Sequence, residues 1–379
     1  MPAASILIKP ASSNCNLDCK YCFYKVLSSN REEYSKGFMK EETLETLVRE
    51  GIAYADGSLT FAFQGGEPTL AGLSFFKRVV ELQKQYNQKG LIIENTLQTN
   101  GMVIDDAWAN FFAENDFLVG ISLDGPKKLH DQYRVDYKNR ESFEQVMHAI
   151  ELFRKYGVRF NILTVVTEAL SQQPSYVYKF YKRNDFKYVQ LIPCMDEKKR
   201  CCMTEEGTGA VTPESYGRFL CEFFDLWYED FVHGEEMDVR IFSNLAQMAA
   251  GYPAEECGMN GCCSCYFVVE GDGSVYPCDF YCIDEWKLGD IGQPFAEMIQ
   301  SERARAFVAN SRTQCEACRE CPYISLCHGG CRRWREETKG VYGENRLCKA
   351  YKMFFAHAWD RLQKLGEVIV RAYGRGTQN

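Results

Sequence analysis

Six short β-rich runs separated by helical patterns are the strongest constraint on the fold of this chain. The runs are 5–9, 59–63, 91–98, 117–123, 158–166 and 188–193. Apolar residues recur between them with helical spacing, as at Leu44, Leu47, Val48 and Ile52. Serial β-α units predict a parallel sheet with helices outside it, an α/β fold. We interpret it as a partial (β/α)6 TIM-like barrel, although a doubly wound sheet gives a similar pattern.

Polar or glycine-rich loops follow the first four predicted strands. They are CNLDCKYCFY at 15–24, QGGEP at 64–68, TNG at 99–101 and SLDGP at 122–126. In a barrel, the loops that leave the carboxyl ends of the strands carry the chemistry. Each loop alone could be an ordinary β-α turn. Four of them on one face indicate a functional site.

The 19 cysteines of the chain fall into separate regions. Cys15, Cys19 and Cys22 stand together at the front, whereas twelve lie between Cys257 and Cys348. The start, MPAASILIKP, lacks the pattern of a secretion signal, and reduced cytosolic thiols favour metal binding over disulfides. The change in composition predicts a barrel domain at 1–235, a linker at 236–256, a cysteine-rich domain at 257–350 and a C-terminal helix at 351–379.

Charge and hydropathy restrict the choice of partners. The chain has 44 basic and 52 acidic residues, a net charge of -8, which argues against a nucleic-acid backbone as the main partner. No segment reaches the roughly 18 continuous apolar residues of a membrane span. These features predict a cytoplasmic protein with no nucleic-acid and no membrane partner, and a monomer is the default expectation.

Three cysteines in the first loop indicate a metal centre with one open position. A structural zinc site uses four ligands, whereas three thiolates can hold three irons of a 4Fe-4S cluster and leave the fourth iron free. The spacing Cys15-x3-Cys19-x2-Cys22, with Tyr21 before the last cysteine, resembles the signature of radical S-adenosylmethionine enzymes. The resemblance implies that the open iron chelates S-adenosyl-L-methionine, whose cleavage yields a 5'-deoxyadenosyl radical.

The same resemblance implies a set of cofactor-binding residues. They are Tyr21, Tyr24, Gln64, Gly65, Gly66, Glu67, Ser122, Arg134 and Met195. In that family the glycine-rich motif lies beside the methionine amino group, and the positions of Ser122 and Arg134 contact its carboxylate and the ribose. Met195 would lie near the adenine. Arg134 could instead form a surface ion pair, and the tyrosines could be packing residues.

The C-terminal cysteines resemble those of SPASM domains, which carry two auxiliary 4Fe-4S clusters. The pattern is Gly273-x4-Cys278 and Cys318-x2-Cys321-x5-Cys327-x3-Cys331, followed by Cys348. The resemblance implies a first cluster on Cys257, Cys263, Cys278 and Cys331 and a second on Cys318, Cys321, Cys327 and Cys348, three clusters in all. Cys262 and Cys265 leave the choice of Cys263 ambiguous. Zinc ribbons are the alternative, because paired C-x2-C ligands also suit zinc.

Longer motifs resemble one family over nearly the whole chain, the anaerobic sulfatase-maturating enzymes. The motifs are IKPASSNCNLDCKYCFY, FAFQGGEPTLAG, LQTNG, CGMNG and FVVEGDGSVYPCDFY. Those enzymes oxidise one cysteine or serine of a nascent sulfatase to Cα-formylglycine. The resemblance implies a sulfatase polypeptide as substrate and an electron donor such as flavodoxin or ferredoxin. The segment 194–210, with its adjacent cysteines, departs from the family and could bear on the choice of peptide.

Asp279, directly after Cys278, matches the proposed general base of that family. It could instead accept backbone hydrogen bonds in a turn. Two other functions share part of the pattern. A peptide maturase that forms thioethers would use the same barrel and similar clusters. A metal-binding adapter would need only the cysteine-rich region, and it would not explain GGEP or the three-cysteine loop.

Overall fold

The computed structural model describes residues 4–195, 209–235, 237–338 and 341–376 of the 379-residue chain. The strands are β1 Ala4–Ile8, β2 Ser58–Phe63, β3 Ile92–Thr99, β4 Leu118–Ser122, β5 Arg159–Val166, β6 Tyr188–Pro193, β7 Asp238–Val239, β8 Phe267–Val269, β9 Ser274–Tyr276, β10 Gly289–Asp290, β11 Glu336–Thr338 and β12 Val341–Tyr342. The six strands predicted from the sequence are therefore confirmed as β1 to β6.

Helices separate the first six strands, as the helical spacing predicts, and further helices follow along the described chain. They are α1 Phe23–Ser29, α2 Glu41–Tyr54, α3 Leu73–Tyr86, α4 Asp106–Glu114, α5 Lys127–Tyr133, α6 Phe143–Tyr156, α7 Glu168–Ser171, α8 Pro174–Arg183, α9 Pro213–Val232, α10 Arg240–Ala249, α11 Phe295–Gln300, α12 Glu302–Ser311, α13 Glu316–Arg319, α14 Ile324–Cys327, α15 Arg332–Arg335 and α16 Cys348–Gly376. In α2 the predicted stripe of Leu44, Leu47, Val48 and Ile52 is buried.

One compact unit comprises Met1–Leu123, His130–Asn161 and Ser264–Phe307. Its strands lie in the order β10-β9-β8-β1-β2-β3-β4, and β8 and β1 to β4 run parallel. Alternation in β2 buries Leu59, Phe61 and Phe63 on one face. A doubly wound sheet reverses its order at the first strand, whereas β1 to β4 follow each other without reversal. The strand order therefore favours the barrel interpretation.

A second compact unit comprises Asp124–Leu129, Ile162–Cys263 and Val308–Asn379. It contains the parallel strands β6 and β7 and most of β5. Helices α9 and α16 approach closely at Gly217, where a Cβ would lie 3.1 Å from the Cα of Ala350. Phe354 of α16 packs at 5.4 Å from Phe224 and 5.6 Å from Phe242, measured between ring centroids.

Strand β8 was not predicted, and its position matters most for the site. It pairs with β1 in parallel, with Ile6, Leu7 and Ile8 opposite Phe267, Val268 and Val269. The amide of Lys9, directly after β1, donates to the carbonyl of Val269 at 2.8 Å. Because β1 and β8 end side by side, a region near the start of the chain lies beside the segment that leads to Asp279.

One sequence-based expectation lies largely outside the described residues, and a second is not tested by them. The segment 194–210 is described only at 194–195 and 209–210, and the domain boundaries proposed above stay a prediction. Across the ranges that the structure describes, no helix is both long and apolar enough to span a bilayer.

Candidate functional site

The loop with three cysteines packs against the glycine loop that follows β2. The amide of Glu67 donates to the carbonyl of Asn14 at 2.8 Å. Gly65 and Gly66 both have positive φ, 98° and 53°. A Cβ on Gly66 would lie 2.3 Å from the carbonyl oxygen of Asn14 and 2.7 Å from that of Ser12. Only glycine therefore allows the two loops to approach this closely.

Glu67 joins the loops that follow β2 and β3. Its carboxylate is 1% exposed and accepts hydrogen bonds from Thr69 and from the Thr99 hydroxyl and the Asn100 amide, the last two at 2.8 and 2.7 Å. Burial raises the pKa of Glu67, and these hydrogen bonds oppose the increase. The Asn100 side chain lies 3.7 Å from the Cys15 sulfur. Glu67 thus fixes the second and third loops around the first.

Cys15, Cys19 and Cys22 are each partly buried in the first loop. Burial, Glu67 and the two other thiols raise the pKa of Cys15 to about 12. A thiol binds iron only as the thiolate, so a bound metal would have to offset the factors that disfavour the thiolate of Cys15. Three neighbouring thiols beside a carboxylate fit an iron-sulfur cluster.

Tyr21, Ser122 and Arg134, all expected around the cofactor, are also in the first unit. The Arg134 guanidinium lies 5.4 Å from the centroid of the Tyr21 ring. Arg134 is buried, which excludes the alternative of an exposed ion pair. The Ser122 hydroxyl accepts a hydrogen bond from Gln98 at 3.1 Å. Met195 lies two residues after the end of β6, in the second unit.

Asp279 lies in a buried polar cluster. It is 4% exposed, and its Oδ1 lies 3.0 Å from the Lys9 Nζ. Its Oδ2 accepts hydrogen bonds from the Tyr24 hydroxyl at 2.6 Å and from the Gln64 amide at 3.4 Å. Its own amide donates to the Tyr266 hydroxyl at 3.2 Å. Tyr24 and Gln64, expected from the sequence as cofactor residues, therefore contact the expected base.

Lys9 is the central cation of this cluster, and it was not predicted from the sequence. It is 1% exposed, and its Nζ also lies 3.4 Å from Glu270 Oε1, which Arg31 contacts at 2.8 Å. Burial disfavours the ammonium, but Asp279 and Glu270 outweigh burial and raise the pKa of Lys9. Burial likewise acts against the Glu270 carboxylate, but Lys9 and Arg31 hold its pKa below the usual value. The sequence signal that could have identified Lys9 was its position at the end of a buried apolar strand.

The thiols of Cys318, Cys321, Cys327 and Cys348 line one cavity. All four belong to the second unit, and Tyr351 and Lys352 of α16 line the same cavity. Cys348 therefore lies at the same cavity as three cysteines that are distant from it in the sequence. Cys315, which is not among the ligands expected from the sequence, lies 3.5 Å from Cys318, measured between the two sulfur atoms.

Cys257, Cys263 and Cys331 form a separate group in the second unit. A Cβ on Gly258 would lie 3.8 Å from the Cys331 Cβ. The Cys331 thiol acts electrostatically on both of the other thiols. Cys278 lies in the first unit, with its sulfur 3.4 Å from the Tyr266 hydroxyl.

In the part of the chain that the structure describes, no three His, Cys, Asp or Glu side chains converge on a point that could hold one metal ion. Zinc needs four ligands on one ion, whereas the thiolates of a 4Fe-4S cluster bind different irons.

Two family models match the chain. The Radical SAM superfamily matches residues 10–171, and an iron-sulfur cluster-binding domain, SPASM, matches residues 259–322. The first range contains the three-cysteine loop and the glycine loop. The second contains Cys278, Asp279 and part of the C-terminal cysteine groups.

Relatives match over nearly the full length. The cysteine-type anaerobic sulfatase-maturating enzyme of Clostridium perfringens strain 13 is 47% identical over 96% of this chain and 98% of its own length. The cysteine-type enzyme of Clostridium novyi is 44% identical over 97% of this chain and 99% of its own length. The serine-type enzyme of Bacteroides thetaiotaomicron is 35% identical over 93% and 88%.

A solved structure agrees with these relatives. Native anSMEcpe with bound AdoMet and Cp18Cys peptide is 44% identical to this chain. The match covers 97% of this chain and 100% of the chain in that structure, with a TM-score of 0.91. The chain therefore belongs to the anaerobic sulfatase-maturating enzymes of the radical S-adenosylmethionine superfamily.

Proposed function

We propose that this protein oxidises a cysteine in a sulfatase polypeptide to Cα-formylglycine. The observation that carries the proposal is the 47% identity to a cysteine-type enzyme over 96% of the chain. The serine-type relative of Bacteroides thetaiotaomicron is more distant, at 35%. Cysteine is therefore the preferred target residue, and serine is the weaker one.

The proposal assigns three 4Fe-4S clusters and S-adenosyl-L-methionine as cofactors. Cys15, Cys19 and Cys22 would hold the first cluster, and the C-terminal cysteines would hold the auxiliary clusters as assigned from the resemblance. When bound, these cofactors supply a 5'-deoxyadenosyl radical that removes a hydrogen atom and an acceptor for one electron. The closely packed loops of Gly66 and Glu67 would shape the part of the site that binds the methionine end of S-adenosyl-L-methionine. Ser122, Arg134 and Met195 would bind the rest of that molecule.

Asp279 would take the thiol proton of the substrate. Its carboxylate already accepts hydrogen bonds from Tyr24 and Gln64 and is paired with Lys9, so its orientation is fixed before the peptide binds. A carboxylate has about four acceptor positions, which leaves capacity for a thiol. Burial excludes the water that would compete for it. Asp279 therefore combines a remaining acceptor position with the fixed geometry that a general base requires.

Atoms and electrons balance in this scheme. The cysteine loses one Cβ hydrogen atom, its thiol proton and one electron, and a carbon-sulfur double bond forms. Water then replaces sulfur, which leaves as hydrogen sulfide, and the aldehyde of formylglycine remains. With serine, the same oxidation gives the aldehyde directly.

The remaining partners follow from chemistry and composition. A low-potential carrier such as flavodoxin or ferredoxin would supply the electron that starts each turnover. We place the protein in an anaerobic cytoplasm, acting as a monomer without nucleic-acid or membrane partners. The net charge of -8 supports the absence of a nucleic-acid partner.

The test uses anaerobically reconstituted protein, S-adenosyl-L-methionine, a chemical reductant and a short sulfatase peptide. We expect the cysteine peptide to lose its sulfur and to gain an aldehyde that a hydrazide reagent captures. The matched serine peptide should react more slowly. A product that keeps its sulfur and forms an internal cross-link would instead identify a thioether maturase and reject the proposal.

A further inference from the structure

Gly120 occupies the centre of β4, although glycine weakens the interior of a strand. Its φ is not positive, so the backbone conformation does not require glycine there. The reason lies on the neighbouring strand. A Cβ on Gly120 would lie 2.1 Å from the side-chain oxygen of Gln98 and 3.1 Å from its Cδ. Glycine therefore leaves the space that the end of the Gln98 side chain occupies.

The Gln98 side chain connects β3 to β4. The pairing of these parallel strands places Gln98 directly opposite Gly120. Ser122 follows Gly120 by two residues, so it lies on the same face of β4. A long side chain can reach such a diagonal neighbour. The Gln98 Nε2 donates to the Ser122 hydroxyl at 3.1 Å, and all three residues belong to the first unit.

The hydrogen bond from Gln98 restricts what the Ser122 hydroxyl can do. A serine hydroxyl has one proton to donate and two lone pairs that accept. Gln98 uses one of the lone pairs. Within the residues that the structure describes, the Ser122 hydroxyl has no acceptor for its own proton. Ser122 is 8% exposed, so it is a buried hydroxyl whose proton is available to an oxygen of a ligand.

We propose that Gln98 is a positioning residue for S-adenosyl-L-methionine and that it acts through Ser122. Because Gln98 donates to Ser122, the proton of Ser122 is directed away from Gln98 and can be donated to a carboxylate or ribose oxygen of the cofactor. A hydroxyl that is oriented before the ligand arrives loses less freedom on binding. Gly120 is part of the same arrangement, since it leaves space for Gln98. The inference rests on the proposed function, which assigns Ser122 to this cofactor.

The test is anaerobic titration calorimetry of the three-cluster protein with S-adenosyl-L-methionine, without reductant or peptide. Gln98→Met keeps the length of the side chain but removes the donor. We expect its Kd to rise about 3- to 10-fold, the usual effect of losing one neutral hydrogen bond. Gln98→Glu introduces an acceptor that would take the Ser122 proton, so its Kd should rise further. Gln88→Met, at an exposed position, is the matched control and should keep the Kd of the unaltered protein.

Ser122→Ala separates an indirect role of Gln98 from a direct contact with the cofactor. If Gln98 acts through Ser122, adding Gln98→Met to Ser122→Ala should not raise the Kd any further. A direct contact, or a purely structural effect of Gln98, would persist when the hydroxyl is absent. A further increase of the Kd in the double variant would therefore overturn the proposal.

Gly120→Ala tests the same contact from the other strand. Its new Cβ would meet the end of the flexible Gln98 side chain, which can turn away from Ser122, and Asn161 Oδ1 at 3.3 Å needs only a small shift. We expect the same 3- to 10-fold increase of the Kd with full iron. If Gln98→Met loses iron, Gly120→Ala decides the outcome. An unchanged Kd in either variant with full iron would overturn the proposal. Loss of iron from both would overturn it too, because Gln98 would then be needed for the fold.

The proposed function can fail separately from this inference. Binding of S-adenosyl-L-methionine by the unaltered protein without any formylglycine from the peptide would reject the reaction, while the comparison of Kd values would still stand. An active protein whose Kd is unaffected by Gln98→Met would reject only the role of Gln98. An unaltered protein that binds no S-adenosyl-L-methionine would reject both.

Discussion

The Lys9 ammonium lies 3.0 Å from one carboxylate oxygen of Asp279, and both side chains are buried. The parallel pairing of β1 with β8 also places Lys9 beside Glu270, because Lys9 follows β1 and Glu270 follows β8. Glu270 and Arg31 extend the pair into a row of alternating charges. The row leaves Asp279 with a balancing positive charge although solvent is excluded.

Lys9→Met should destabilise the protein strongly. It leaves Asp279 and Glu270 buried beside an apolar side chain, and removing one partner of a buried ion pair typically costs about 3–5 kcal/mol. Adding Glu270→Gln removes one of the two carboxylates that Lys9 balanced. We therefore expect the thermal midpoint of the double variant to be higher than the sum of the two single effects predicts. Strictly additive shifts at one scan rate would show that the row is not energetically coupled.

Tyr24→Phe should weaken the coupling of radical formation to product. The change removes the hydroxyl that donates to Asp279 at 2.6 Å and keeps the ring. A hydrogen bond to a charged group is worth about 1.5–3 kcal/mol, so formylglycine formation should fall about 10- to 100-fold while 5'-deoxyadenosine is still released. Tyr188→Phe, at an exposed position of β6, is the control and should behave like the unaltered protein. Equal product yields in the two variants would remove Tyr24 from the site.

Gly66→Ala should disrupt the first cluster and the cofactor site. The new Cβ would meet the Asn14 carbonyl at 2.3 Å, so the three-cysteine loop has to move. We expect the variant to lose about a third of its iron, one of three clusters, together with cleavage of S-adenosyl-L-methionine. Gly90→Ala is a matched control, since Gly90 also has positive φ but no atom lies within 4 Å of its Cβ position. If both variants keep their iron, the close approach of the loops is not required.

Much of this site could be predicted from the sequence, because its motifs are local. Alternating apolar residues predicted β2, and the spacing of Cys15, Cys19 and Cys22 predicted a shared loop. Strand β8 has only three residues, too few for periodicity to distinguish it from a turn. Its pairing with β1 is a long-range contact that no local pattern encodes. Lys9 and Glu270 were missed for that reason. In the sequence each is an ordinary charged residue, and only the pairing of β1 with β8 makes them neighbours.

Single cysteine changes should separate the three clusters. The unaltered protein should hold about twelve irons, four in each cluster. Replacing Cys15, Cys19 and Cys22 together should remove about a third of the iron and abolish S-adenosyl-L-methionine cleavage. Cys263→Ala and Cys331→Ala should abolish the signal of one auxiliary cluster, and Cys318→Ala and Cys348→Ala that of the other. Cys221→Ala, outside both groups, should keep all its iron.

The assignment of these groups would fail in either of two ways. Zinc in place of iron in the anaerobic protein would reject the auxiliary clusters. Loss of the same signal from Cys331→Ala and Cys318→Ala would show that the two groups of thiols bind a single centre.

The role of Asp279 is tested most directly by measuring formylglycine and 5'-deoxyadenosine in one anaerobic reaction with Asp279→Asn. Asparagine preserves the size of the side chain but cannot take the thiol proton. Iron content and electron paramagnetic resonance on the same sample establish that the three clusters are intact, which matters because Asp279 follows Cys278. We predict continued release of 5'-deoxyadenosine and a loss of formylglycine of about two to four orders of magnitude, the usual effect of removing a general base. A formylglycine yield close to that of the unaltered protein would contradict the assignment of Asp279 as the base.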